Sequence, residues 1–303
     1  MSVGGAIAIG RVPGSNLSAT DTSFIGCEAR YLGGAIFSTV NVTLMRCIIA
    51  RCSVDFRDCW GLPYGAAAFY GYGGGVALQH VAATAHGDGV KLTLDAADCV
   101  FRDNFAKGGG AVYGSFGTHV KALRTRFERN YAESDRARLC GGFGGAIMMQ
   151  SIIATQQQFT IPDDSPPGTA SFDDCELASN VADDLGGGFL TGNHDIDVYM
   201  RRTVVRDNRA RNAGGGLHAM TARLVMESSE FLRNSAGQEA GGVFLGTSKA
   251  TMTDTVIGGN MAPAGMSMSV GLSGSVTYVL PTCVTAEPAN PNPCISFSSC
   301  TVH

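Results

Sequence analysis

Small and apolar residues recur along this chain in two linked patterns. One is a pair of glycines followed by a residue that is usually small and then an apolar one. It begins at Gly4, Gly33, Gly73, Gly109, Gly144, Gly186, Gly214 and Gly241. The other is an apolar residue, two variable residues, then Asn or Cys, with Ala or Val two positions further on. Its Asn/Cys positions are Cys27, Cys52, Asn104, Asn130, Asn180, Asn208, Asn234 and Asn260. The spacings are 25, 52, 26, 50, 28, 26 and 26 residues, so the repeat is about 26 residues and its two long steps carry insertions.

Alignment on the Asn/Cys position exposes further columns. Three residues before it stand Phe24, Ile49, Phe101, Phe127, Leu177, Val205, Phe231 and Ile257. Five before it stand Thr22, Cys47, Cys99, Thr125, Cys175, Thr203, Ser229 and Thr255, all small. Beyond the double glycine come Ile7, Ile36, Val76, Val112, Ile147, Phe189, Leu217 and Phe244. Strand-like alternation without a helical period, broken by Gly-rich corners, predicts one coil of a parallel β-solenoid per repeat. The expected fold is all-β: a right-handed parallel β-helix of about eight coils over residues 1–281, followed by a Pro- and Cys-rich tail over 282–303. Stacked Asn104, Asn130, Asn180, Asn208, Asn234 and Asn260 are expected to bond amide to amide as a ladder. Six positions before the Asn/Cys, Asp21, Arg46, Asp98, Arg124, Asp174 and Arg202 alternate in sign up the stack. Opposite charges on neighbouring strands favour this register over slipped ones.

Composition narrows the class. The 303 residues are 45% hydrophobic and 16% charged, which excludes disorder. The 41 glycines fall in pairs and not at every third position, which excludes collagen. The uncharged stretch 255–286 is cut by Gly, Ser and Pro and makes no membrane span. A net charge of −4 argues against nucleic acid as the main partner. Ten cysteines point to an oxidising compartment. The opening Met-Ser-Val-Gly-Gly lacks the charged and apolar regions of a signal peptide, so either a leader has been removed or the chain is a piece of a longer protein.

The pairing of Phe101-Arg-Asp-Asn104 with Gly109-Gly-Ala-Val112 resembles the repeats of chlamydial polymorphic outer membrane proteins, over about residues 4–265. The resemblance implies a pectin-lyase-like β-helix displayed outside the cell and often adhesive. The chain departs from the pattern where Cys27 and Cys52 replace the motif Asn, and no C-terminal autotransporter barrel follows.

Enzymes of this architecture that cleave acidic polysaccharides need clustered carboxylates. The candidates are Asp163-Asp164, Asp173-Asp174 and Asp183-Asp184, with Asn180, His194 and Asp195 nearby. Gly192-Asn193-His194 is not the Gly-His-Gly of polygalacturonases, no Arg-x-Lys follows, and Asp174 already belongs to the alternating column. No catalytic residue, metal or cofactor is therefore assigned. His80, His86, His119, His194, His218 and His303 share no column and read as solvent-facing. The insertion from Ser53 carries Phe56, Trp60, Tyr64, Phe69, Tyr70 and Tyr72, which either stack on sugars or a partner or fold onto the rod wall. Asn16-Leu-Ser18 and Asn41-Val-Thr43 are N-glycosylation sequons.

Same-column residues in adjacent coils lie about 4.8 Å apart, so disulfides are expected for Cys27–Cys52 and Cys47–Cys99, with Cys59–Cys140 joined through their insertions. The first repeat starts at once, at Gly4-Gly5. The tail is held extended by Pro288, Pro291 and Pro293 and carries Cys283, Cys294 and Cys300. These features predict head-to-tail stacking with a second copy into a filament. The expected function is an extracellular structural protein of the cell surface and not an enzyme. The alternatives are a monomeric adhesin binding glycans and, behind it, a β-helix polysaccharide lyase or hydrolase.

Overall fold

A computed structural model describes residues 3–10, 15–55, 71–79, 92–115, 117–135, 140–150, 167–192, 196–263, 267–271, 274–279 and 283–284. The chain winds as a right-handed parallel β-helix. Each turn contributes a short strand to each of several parallel sheets, three of nine strands and one of seven. The first sheet runs from Ile7–Ile9 to Met268–Val270, the second from Asn16–Thr20 to Ser275–Val279, and the third from Ser23–Ile25 to Cys283–Val284. The fourth, of two-residue strands, runs from Glu28–Ala29 to Ser235–Ala236.

The register is the one read from the repeat. Phe24 pairs with Ile49, Ile49 with Phe101, and so on to Phe231 with Ile257. These inward columns are fully buried in the middle of the rod. The rings of Phe101 and Phe127 stack at 5.0 Å, and Phe172 meets Phe127 and Phe189 edge to face. The small residues five before the Asn/Cys turn a corner. Thr125 Oγ1 donates to Leu123 O at 3.0 Å in its own coil and lies 3.2 Å from Ala96 O in the coil below. Thr203 and Thr255 repeat both contacts.

The eight coils expected are present, and a partial ninth follows them, because Met268–Val270, Ser275–Val279 and Cys283–Val284 each add one more rung. Two expectations are corrected. Residues 283–284 therefore continue the rod past the boundary placed at 282. In the eighth coil Val243, not Phe244, stands opposite Leu217, while Phe244 pairs with His218. The glycine motif of that coil starts one residue earlier, at Ala240, which takes φ 54° where Gly214 takes φ 66°. Both positions are crowded: a β-carbon on Gly215 would sit 2.2 Å from the carbonyl oxygen of Gly241 in the next coil, and one on Gly214 would sit 2.5 Å from Leu217 O. Ala240 nevertheless fills the first position in the eighth coil.

Candidate functional site

The longest continuous polar feature in the interior is the Asn column. Asn180 Nδ2 donates to Asn208 Oδ1 at 2.9 Å and to Phe127 O of the preceding coil at 2.9 Å. Its Oδ1 accepts from Asn130 N–H and Asn130 Nδ2, both at 2.9 Å. The same scheme links Asn104 to Asn130, Asn208 to Asn234 and Asn234 to Asn260. All six amides are buried, so the expected ladder is present and its rungs support one another. The ladder is structural: every lone pair it presents is turned along the stack.

Cys52 continues the column by imitation. Its backbone N–H donates to Asn104 Oδ1 at 3.0 Å, and its thiol points at Phe24 O, 3.4 Å away, where an Asn amide would donate. Cys47 and Cys99 stand in for Thr in the same way. Cys47 Sγ lies 3.4 Å from Met45 O and from Ala19 O, and Cys99 Sγ lies 3.2 Å from Ala97 O. Cys27, Cys47, Cys52, Cys99 and Cys175 are free thiols, so the structure holds the pairs Cys27/Cys52 and Cys47/Cys99 unbonded and not as the expected disulfides. In-register parallel neighbours keep their Cα–Cβ bonds parallel, which leaves the β-carbons about 4.8 Å apart. A disulfide wants about 3.5–4.5 Å there, so the Cα spacing alone was an insufficient criterion. Burial pushes the thiols of Cys52 up to about 12 and of Cys99 and Cys175 to about 11. Cys59 lies outside the described residues, as does the side chain of Cys140.

On the surface, the alternating column is realised as forked ion pairs. Arg46 binds Asp21 through Nε and Nη2 at 2.7 Å each, and Arg124 binds Asp98 at 2.7 and 2.8 Å. Arg202 holds Asp174 at 2.6 and 2.9 Å. Forks form within coils 1–2, 3–4 and 5–6, always with the acid in the lower coil. A second column, one residue before the Asn/Cys, escaped the sequence reading. There Arg129 forks onto Asp103 and Arg233 onto Asp207. Both columns have left-handed backbone throughout, φ 45–56° in the first and 51–65° in the second. Only the regular spacing of Asp and Arg could have disclosed the second.

These contacts occupy the carboxylates considered for catalysis. Asp173 is bound by Arg201 and Arg202, and hydrogen bonding to Arg201 holds its carboxyl below the usual range. Asp183 accepts from Tyr131 Oη at 2.9 Å and from Ser134 N–H at 3.2 Å. Asp184 accepts from Asn212 Nδ2 at 2.5 Å, and partial burial raises its carboxyl. Asn180 belongs to the ladder, and Asp163, Asp164, His194 and Asp195 lie outside the described residues. No group of three or more His, Cys, Asp or Glu among the described residues is arranged to hold a metal.

Two histidines are not solvent-facing, contrary to expectation. His119 is buried with Nδ1 2.7 Å from Thr169 Oγ1. His218 is buried and stacks on Phe244 at 4.6 Å, and desolvation lowers its pKa to about 4. For His218, paired with Leu190, the reason is that the outer face of the first sheet carries its own apolar cluster of Leu32, Ala77, Tyr113, Met148 and Leu190. Of the aromatic insertion only Tyr72 is described, and it belongs to that cluster, stacked on Tyr113 at 4.8 Å. Phe56, Trp60, Tyr64, Phe69 and Tyr70 lie outside the described residues. The sequon residues Asn16 and Asn41 are exposed register partners on adjacent strands of the second sheet. Asn41 Oδ1 accepts from Thr93 N–H at 2.9 Å.

Comparison of the chain with protein-family models, with curated proteins and with solved structures finds no match.

Proposed function

We propose that this chain is a structural subunit of a filament or appendage displayed outside the cell, elongating by head-to-tail stacking of its coils. One observation carries the reading: successive coils stack by the same parallel pairing in three nine-stranded sheets, a register that coils of another copy can extend. Asp173 and Asp174 are held by arginines, and Asp183 and Asp184 by Tyr131, Ser134 and Asn212, which suits a rod wall better than a polysaccharide-cleaving groove.

The extracellular placement rests on the likeness of the repeat to surface-displayed β-helices. Sedimentation and negative-stain electron microscopy of the purified chain test assembly, and surface labelling of intact cells tests location. A protein that stays monomeric at high concentration overturns the filament.

A further inference from the structure

In the first six coils the chain runs from the second sheet through the third to the fourth without an insertion, and the long insertions leave on either side of the first sheet. The outer face of the third sheet is bounded by the two columns of left-handed residues that carry charge. The first column reads Asp21, Arg46, Asp98, Arg124, Asp174 and Arg202 from coil one to coil six, all exposed. The second reads Gly26, Arg51, Asp103, Arg129, Ser179 and Asp207.

An alternating column with an even number of members is complementary to itself in reverse. A twofold axis lying along the strands, between the third and fourth coils, turns a second copy so that each column faces itself reversed. Asp21 then meets Arg202, Arg46 meets Asp174 and Asp98 meets Arg124, each pair occurring twice. The same rotation sets Asp103 against Arg129 and, on the strands between the columns, Arg102 against Glu128 and Ala50 against Ala178. No charged residue of this face in the six coils meets its own sign. Moving the axis half a coil opposes Arg46 to Arg124 or Asp98 to Asp174. Moving it a whole coil towards the later repeats opposes Arg51 to Arg233 and Asp103 to Asp207, and moving it a coil the other way leaves four described coils in contact instead of six. Rods packed parallel would set the two columns against each other, with Arg46 on Arg51, Asp98 on Asp103 and Arg124 on Arg129.

We infer that two copies pair side by side and antiparallel through the outer face of the third sheet, about a twofold axis between the third and fourth coils. This interface goes beyond end-to-end stacking and does not depend on it. Six coils at about 4.8 Å by six residues at about 3.3 Å give about 570 Å² per copy, or about 1,150 Å² in all, the size of a small specific interface. The forks of Arg46 and Arg124 use Nε and Nη2, which leaves Nη1 for a carboxylate of the other copy. Exposed ion pairs contribute little each, so their part is to choose the register and exclude the wrong ones. Apolar cover comes from residues such as Ile25, 49% exposed, which the aliphatic stem of the other copy's Arg206 overlies in this register.

Charge reversal across the axis, in the full chain, tests it. Arg102→Glu alone and Glu128→Arg alone each make the contact between positions 102 and 128 like-charged, twice per dimer. Each is expected to raise the dimer dissociation constant about tenfold or more in sedimentation equilibrium, with the circular dichroism of the parent. An equimolar mixture restores opposite signs at both contacts and should sediment as a dimer again. A tagged Arg102→Glu copy should accordingly retain untagged Glu128→Arg and not untagged Arg102→Glu. The parent supplies a readout that needs no variant to fold: raising salt from about 0.05 M to about 0.5 M should weaken its dimer several-fold by screening. A parent chain that stays monomeric at high concentration would overturn the pairing. A parent dimer that neither variant nor salt weakens would overturn this face, and a mixture no tighter than its components would overturn the register. A parent that stops at the dimer would uphold the pairing and overturn the filament.

Discussion

Truncation of Asn180 to Ala measures what the ladder contributes. The substitution deletes four side-chain hydrogen bonds at a fully buried position. Not all four losses count equally. Asn208 Oδ1 keeps its bond from the backbone N–H of residue 180, at 2.9 Å. The backbone N–H of Asn130 and one hydrogen of its Nδ2 lose their only acceptor where water has no access. A buried donor left unsatisfied costs about 1–3 kcal/mol, so the two together should cost about 4 kcal/mol. Asn180→Asp keeps the acceptor for Asn130 but sets a carboxylate oxygen against Asn208 Oδ1 and Phe127 O. It should destabilise at least as much at neutral pH and recover in part when acid protonates the carboxyl. Urea unfolding followed by circular dichroism gives the global cost, and hydrogen exchange at the amides of residues 126–132 reads it locally. Asn41→Ala, at an exposed site with one bond, is the control and should cost about 0.5 kcal/mol or less. A loss below about 1 kcal/mol for Asn180→Ala would refute the claim that the amides depend on one another.

Three further outcomes follow from the same geometry. Cys52, Cys99 and Cys175, buried and with thiols pushed up to about 12, 11 and 11, should resist a thiol reagent in the folded chain and react on unfolding, as mass spectrometry would show. His218, neutral in the fold down to about pH 4 but protonated near 6.5 when unfolded, contributes stability that is complete above pH 6.5 and lost as pH falls towards 4. That loss is about 3 kcal/mol, and His218→Leu should flatten the unfolding free energy across this window. Gly214→Ala should cost more than the about 1–2 kcal/mol of a left-handed Ala, since its β-carbon must also clear Leu217 O at 2.5 Å, yet should still fold as Ala240 does in the next coil, whereas Gly215→Ala should prevent the stack from closing, as judged by loss of the cooperative melt.

How much of this was legible in the sequence depended on whether a residue acts within a column. Phe101, Asn180 and the Asp98–Arg124 fork are repeated at the same offset coil after coil, so alignment alone placed them. The ninth coil is legible only in the alternation through Met268 and Val270, because its Asn position and its double glycine have both lapsed, although Met268–Val270 and Ser275–Val279 still pair in register. The slip at Val243 came from taking the glycine pair as the anchor, when the first member of the motif in that coil is Ala240. His218 was hidden by the assumption that an outward position is a wet one, which the second apolar cluster breaks. The free thiols were misread because Cα spacing says nothing about the direction of the β-carbons.

The cysteines show what the stack selects. At Cys52 the column accepts a thiol where every later coil from the third to the eighth has an amide, and at Cys47, Cys99 and Cys175 it accepts one where its neighbours have a hydroxyl. In each case the retained property is a small polar group aimed at a carbonyl two residues back or one coil down. Identity is free to drift so long as that contact and the volume survive, so the same coil geometry can be written in many ways. Charge on the wall is held to the same rule: where Asp21 and Asp98 stand, a guanidinium one coil above takes each carboxylate at 2.7 Å, and where Asp254 stands the hydroxyl of Ser228 one coil below donates to it at 3.0 Å.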